Sequence, residues 1–160
     1  MTAEDVPAAR AILNEIIGIG GTTAFEEPFD DARFVGSFLG SDLIACHVAE
    51  DETGRVLGFQ WIGRNPDLPP KCADIATFAA RNPARPGVGR ALFQATQAAA
   101  RGLGFGQINA TILADNQPGL GYYSKMGFSD HAVHAGVAQR NGAPVDRVSK
   151  RFDLSRGEAS

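Results

Sequence analysis

A chain of 160 residues with 44% hydrophobic and 21% charged residues has the size of one domain and can bury a core, which excludes a disordered tail. Its 15 basic and 18 acidic residues leave a net charge of -3 with no basic stripe, so nucleic acid is not an expected partner. The longest uncharged run, 102–114, includes Gln107, Asn109 and Thr111 and falls well short of the roughly 20 mostly apolar residues a membrane span needs.

The start, Thr2-Ala3-Glu4-Asp5, reads as a helix cap with acids in the first turn; it has no basic n-region, so no signal peptide is expected and the cytoplasm is the expected compartment. Val6, Ala9, Ile12, Leu13, Ile16 and Ile17 then recur at helical spacing, and Gly18 to Gly21 end that helix. A second helix is expected over 28–39, starting in Asp30-Asp31. Strands over 43–49 and 55–63 around the turn Asp51-Glu52-Thr53-Gly54 read as a hairpin. A loop over 65–70 leads to a third strand, 72–80. The next helix carries Val88, Ala91, Leu92, Ala95 and Ala99 on one face and stops at Gly102 and Gly104. A fourth strand, 107–114, leads into a short helix capped by Asp115-Asn116-Gln117-Pro118 and ending near Met126-Gly127. Segments 128–133 and 145–154 read as closing strands around a turn at Arg140-Asn141-Gly142. This order predicts a single α/β (α+β) domain with a mixed sheet, not a regular βαβ alternation.

The strand–loop–helix over 72–102 carries the chemistry. Gly87 and Gly89 let the backbone come close to a ligand. The first amides of the following helix have no acceptor inside it, and with the positive end of the helix dipole they form an anion site, above all for phosphate. Arg85 and Arg90 flank it. A glycine-rich connection with surface arginines is the plainer reading of the same residues. Leu92 stands where a dinucleotide fingerprint needs its third small residue, and no G-K-[ST] closes a P-loop anywhere in the chain.

Gly87-Val88-Gly89-Arg90-Ala91-Leu92, a helix, a strand, Asn116 with Tyr123 seven residues on, and Lys125-Met126-Gly127-Phe128 together resemble the GCN5-related N-acetyltransferases (GNAT). Within them the likeness is to the phosphinothricin and L-amino-acid N-acetyltransferase group, and it extends to 22–28 and 110–116. The resemblance implies a GNAT-like, mostly antiparallel central sheet flanked by helices. It implies acetyl-CoA as co-substrate, a primary amine as acceptor and a homodimer, for which 145–152 is the expected edge. It assigns the coenzyme A pyrophosphate to the amides of Gly87, Val88, Gly89 and Arg90, with Arg85 beside them, and the pantetheine to Phe78, Ala79, Ala80 and Asn116. Tyr123 falls where the family places the general acid for the leaving thiolate, and Asp74 where the phosphinothricin group places a carboxylate base. Phe25 and Glu27, with Glu26, fall in the loop that borders the acceptor. The chain departs from the pattern at Ala84, where the family carries Gln or Arg, at Pro86, which has no N–H to offer, and at its start, where the family has a strand before the first helix.

These residue types suit the reaction. An amine must shed a proton to attack a thioester, which a carboxylate can take, and a phenol can protonate the leaving thiolate. No metal is expected: His131 and His134 lack the further ligands a zinc site needs. His47 is expected as a hydrogen-bonded core residue, Phe59 and Trp61 as core, and Cys46 and Cys72 as reduced, buried thiols. An acetyl-CoA-dependent N-acetyltransferase acting on a small amine, an amino acid or analogue first, is the leading expectation. The alternatives are a non-catalytic acyl-CoA sensor on the same fold and a nucleotide-binding domain.

Overall fold

The computed structural model describes residues 1–81, 84–140 and 142–156. Asn82 and Pro83 of the expected loop and Asn141 of the expected turn lie outside the described residues. A 3₁₀ turn (Ala3–Asp5) leads into helix α1 (Val6–Ile19), and α2 (Asp31–Phe38) follows. Strands β1 (Leu43–Glu50), β2 (Val56–Gly63) and β3 (Cys72–Ala79) precede α3 (Val88–Gly102), β4 (Gln107–Leu113) and α4 (Gln117–Met126). Strands β5 (Ser129–Arg140) and β6 (Ala143–Asp153) close the chain.

The helix ends follow local chemistry. The Asp30 carboxylate accepts the Arg33 amide at 2.8 Å, so α2 begins at Asp31 and not at Pro28. Asn116 caps α4 in the same way, accepting from the Gly119 amide at 3.0 Å, and Gly127 ends that helix at φ 106.

One six-stranded sheet runs in the order β1-β2-β3-β4-β6-β5. Every neighbouring pair is antiparallel except β3 and β4, which are parallel. The expected edge at 145–152 is corrected here: β5 folds back along the outer side of β6, so β6 is interior, and the edges are β1 and β5.

Alternation along the strands sorts the core onto two faces. Phe59 and Phe78 turn toward α1 and α2 and pack with Leu13, Phe34 and Phe38. Ile62, Ala73, Ile75, Ile108 and Ile112 turn toward α3 and α4 and pack with Phe93, Tyr123 and Phe128. Trp61 packs at the margin of the first cluster, half-buried. His47 departs from expectation: it is half-buried on edge strand β1, its Nδ1 has no hydrogen-bond partner, and burial pushes its pKa down. Cys72 is buried and Cys46 half-buried, both as free thiols, and burial raises the pKa of each, that of Cys46 to about 12.

Candidate active site

The parallel pairing of β3 with β4 covers only Cys72↔Gln107, Ala73↔Ile108 and Asp74↔Asn109. Beyond Asp74 and Asn109 the two strands part, although β3 runs on to Ala79 and β4 to Leu113. A cavity of about 500 Å³ opens along this gap, lined by both strands, the loop after α1, and α4.

The direction of the backbone groups follows from their neighbours. Ala80 donates its amide to Leu57 of the β2 side at 2.8 Å, and Ala114 donates to Asp146 of the β6 side at 2.8 Å. Because amides alternate in direction along a strand, Ile75, Thr77 and Ala79 present theirs to the gap from one side and Thr111 and Leu113 from the other. These groups need partners, which an extended amide-bearing chain laid between the strands could supply. Of the three residues expected to pair with pantetheine, only Ala79 faces the gap. The amides of Phe78 and Ala80 turn to β2, although the Phe78 side chain still lines the cavity.

Two groups of polar side chains flank the gap on opposite faces of the sheet. On the α3/α4 face, the fully buried Gln60 donates to Thr77 Oγ1 at 3.0 Å and to Tyr122 Oη at 3.1 Å. Thr77 Oγ1 lies 2.8 Å from the Tyr123 hydroxyl. Tyr122 in turn donates to the Gly89 carbonyl at 2.7 Å. With its own oxygen occupied by Gln60, Thr77 can donate to Tyr123 and leave the Tyr123 proton directed elsewhere. Tyr123 is only 8% exposed, and burial pushes its hydroxyl well above the ordinary tyrosine pKa, so it stays protonated; Tyr122 rises to about 12 for the same reason.

On the α1/α2 face, Asp74 accepts from Asn65 Nδ2 at 3.2 Å on one oxygen and from Asn109 Nδ2 at 3.1 Å on the other. Asn109 is itself held by Arg151, whose Nε donates to its Oδ1 at 2.7 Å. These contacts hold the Asp74 carboxyl in one orientation at the point where the strands part.

At the far end, Gly87 caps α3 in the left-handed region at φ 87. The first helical hydrogen bond runs from Ala91 to the Gly87 carbonyl, so the amides of Val88, Gly89 and Arg90 precede it and have no acceptor in the helix. A Cβ at Gly89 would lie 2.7 Å from the Tyr122 ring, so glycine here serves close packing as well as access to the amide. Arg85 is turned away: it is bridged to Asp51 at 3.4 Å and Glu52 at 3.8 Å in the β1–β2 turn. The Thr53 hydroxyl bonds Asp51 and holds its carboxyl below the usual carboxylate range, with Arg85 adding to the effect. Arg90 is exposed, whereas Arg81, just after β3, lines the cavity.

Asn116 lines the cavity, but both ends of its amide are engaged, Oδ1 in the α4 cap and Nδ2 at 2.9 Å from the Thr22 carbonyl. That bond ties the loop after α1 to α4 and makes Thr22, Thr23, Ala24 and Phe25 a wall of the cavity. Glu27 is exposed and is not among the residues lining it. The structure therefore gathers Asp74, Phe78, Ala79, Gly89, Asn116, Tyr123 and Phe25 around one cavity and leaves Ala80, Arg85, Gly87, Val88, Arg90 and Glu27 outside its lining. Gln60, Thr77, Asn109 and Arg147 were not anticipated. Gln60 and Thr77 were visible only as polar residues inside apolar strands.

Among the described residues, no three His, Cys, Asp or Glu side chains gather where a metal could sit, and no helix is long and apolar enough to cross a membrane.

Residues 11–128 match the Acetyltransferase (GNAT) family. YwnH of Bacillus subtilis (strain 168), a protein named for phosphinothricin acetyltransferase activity, is 30% identical over 154 residues, 94% of this chain and 90% of its own. A crystal structure named for a phosphinothricin N-acetyltransferase superposes with a TM-score of 0.83 at 28% identity, covering 96% of this chain and 95% of that one. The fold is shared with a GNAT superfamily phosphinothricin acetyltransferase from Sinorhizobium meliloti, solved in complex with acetyl-CoA, at a TM-score of 0.84, 22% identity, and coverage of 100% of this chain and 89% of that one. The chain belongs to the GNAT acetyltransferase family. That membership sets aside the nucleotide-binding reading.

Proposed function

We propose that this acetyltransferase uses acetyl-CoA to acetylate the primary amine of a small molecule, an amino acid or a close analogue, by direct attack within a ternary complex. One observation carries the reading. The gap beyond Asp74 and Asn109 brings a carboxylate on one face of the sheet and a protonated phenol on the other onto a single cavity. The likeness to proteins named for phosphinothricin acetylation supports the acceptor class.

Acetyl-CoA supplies the acetyl group as a thioester. The amides of Val88, Gly89 and Arg90 are placed to hold its phosphates, and those of Ile75, Thr77 and Ala79 to pair with its amide-bearing arm. Gap-facing backbone N–H groups also serve to polarise a carbonyl and bind the oxyanion that forms on it. Asp74, steadied by Asn65 and Asn109, takes a proton from the acceptor's ammonium group, and the neutral amine so formed attacks the thioester carbonyl. Tyr123 donates its proton to the departing sulfur, with Thr77 donating into the phenol oxygen as charge builds there. Base and acid lie on opposite faces, so the amine enters on the side away from α3 and α4, and the leaving group is met from the α4 side.

The test is acetyl transfer by a Tyr123→Phe variant, followed as thiol release. The expected result is a fall in kcat of about 10²-fold or more with acetyl-CoA affinity unchanged, in the range typical for a proton-transfer group. An unchanged kcat would refute the acid assignment.

A further inference from the structure

Beyond Asp74, α1 and α2 no longer pack on this face of the sheet, although Asn109, Leu113 and Ser149 on it are buried and the loop after α1 lines the same cavity. Helices α1 and α2 cover β1 to β3 only, and β4, β6 and β5 carry on past them. Cross-strand partners share a face. Asn109, Thr111 and Leu113 on β4 stand opposite Arg151, Ser149 and Arg147 on β6, so these six lie on the Asp74 face. Arg147 is half-buried, lines the same cavity as Asp74 and Tyr123, and has no ion pair among the described residues. Its neighbours are already engaged. Arg151 is committed to Asn109, and His134, which stands opposite Arg147 on β5, holds Ser149 Oγ at 2.8 Å.

We infer that Arg147 is the anion anchor of the acceptor site, binding the carboxylate of an α-amino acid while Asp74 faces its amine. This rests on the acetyl-transfer reading above and narrows it to acceptors with a free carboxylate. The geometry fits in length. Arg147 is level with Leu113, four residues beyond Asn109, and two strand spacings away from β3. Strand dimensions then put the Asp74 and Arg147 Cα atoms about 16 Å apart. The arginine arm spans part of that distance and leaves room for an amino acid between the two charges, but not for a direct ion pair. The face also separates this cation from the phosphates of acetyl-CoA. Those are met by the start of α3, which packs on the other side of the sheet, with Arg81 after β3 at that end of the cavity. A guanidinium can grip a carboxylate with two parallel hydrogen bonds, which an ammonium cannot do.

The purified enzyme is assayed with acetyl-CoA against the common L-amino acids. The best acceptor is then compared with its carboxamide and with the amine lacking the carboxyl group altogether. The expected result is a preference for the free acid of about ten- to a hundredfold in kcat/KM, the usual cost of losing one hydrogen bond to a charged group. Arg147→Gln removes that preference by slowing the acid alone, leaves the carboxamide rate and the KM for acetyl-CoA unchanged, and keeps the melting temperature. Arg147→Lys restores part of the preference and covers the case in which the glutamine variant fails to fold. Equal losses for acid and carboxamide, or a raised KM for acetyl-CoA alone, would overturn the assignment while leaving acetyl transfer intact. If acetyl-CoA binds but no amine is acetylated, the acetyl-transfer reading fails, and this inference fails with it.

Discussion

Replacing Gly89 with alanine tests how closely the start of α3, the proposed phosphate site, is coupled to α4. The added Cβ would lie 2.7 Å from Cε2 and 3.2 Å from Cζ of Tyr122, against an ordinary contact distance of 3.4–4 Å. The ring cannot swing aside without loss, because its hydroxyl is held by the Gly89 carbonyl at 2.7 Å and by Gln60 at 3.1 Å. Overpacking of this kind costs about 1–3 kcal/mol, and the strained hydrogen bond adds about 1 kcal/mol. In the other direction, alanine in a helix gains up to about 1 kcal/mol over glycine. The balance is a destabilisation of about 1–3 kcal/mol, or a fall in Tm of about 3–10 °C for a domain of this size. Moving the residue-89 amide should also raise the KM for acetyl-CoA by about tenfold, the loss of one charge-assisted hydrogen bond. Thermal unfolding with and without coenzyme A, alongside initial-rate kinetics, measures both effects. In the Gly89→Ala background, Tyr122→Leu removes the clash and should recover much of the lost Tm, a non-additivity expected of touching side chains. A Gly89→Ala protein that melts at or above the wild-type temperature with an unchanged KM would refute the reasoning.

Asp74→Asn should lower kcat/KM at neutral pH by about 10²-fold or more and steepen its rise with pH, because the amine must then arrive already deprotonated; a profile parallel to wild type would exclude Asp74 as the base. Tyr122, Tyr123 and Cys46 all have pKa values raised above their unfolded values of 10.0, 10.0 and 9.0, so the folded state holds these protons more tightly than the unfolded chain does. Their contribution to stability is complete below about pH 9 and is lost as pH climbs toward 12, so Tm should stay level to about pH 9 and then fall; a flat Tm from pH 9 to 11.5 would contradict the burial that raises them. The same burial makes Cys46 a poor thiolate, and its alkylation at pH 8 should be slow in the folded protein and fast in denaturant.

The elements that recur by period were legible in the sequence. The α1 stripe from Val6 to Ile17, the α3 stripe, and the punctuation at Asp30, Asn116 and Gly127 each rest on interactions within a few residues of chain. What went unread depends on pairing across the sheet. Whether 145–152 is an edge is decided by where β5 returns, and nothing within those residues records that. The direction of the Ala80 amide is fixed by Leu57, 23 positions earlier. Arg85 looked like a phosphate ligand because it flanks the loop, yet the β1–β2 turn brings Asp51 and Glu52 within reach of it. Thr77 and Arg147 stand in strands that carry other polar residues, and only the gap between β3 and β4 and the cavity along it distinguish these two from the rest.

Helix α4 connects the two ends of the cavity. Its consecutive tyrosines differ in what they hold: the Tyr122 hydroxyl is spent on the Gly89 carbonyl at the start of α3, while that of Tyr123 lies against Thr77 at the gap. Gln60 bonds into both branches, to Tyr122 Oη and to Thr77 Oγ1, and its own carbonyl oxygen is buried without a partner. A continuous chain of hydrogen bonds thus joins the start of α3, through Tyr122 and Gln60, to the Thr77 hydroxyl against which Tyr123 lies. Replacing Gln60 with leucine separates the two functions that this network joins. It removes both donors and leaves Thr77 free to accept from Tyr123, turning the phenol proton away from the cavity. The expected effect is a loss in kcat of about tenfold with little change in acetyl-CoA affinity, since the Tyr122–Gly89 bond survives. A variant that lost acetyl-CoA affinity with kcat intact would place Gln60 on the phosphate side of the network instead.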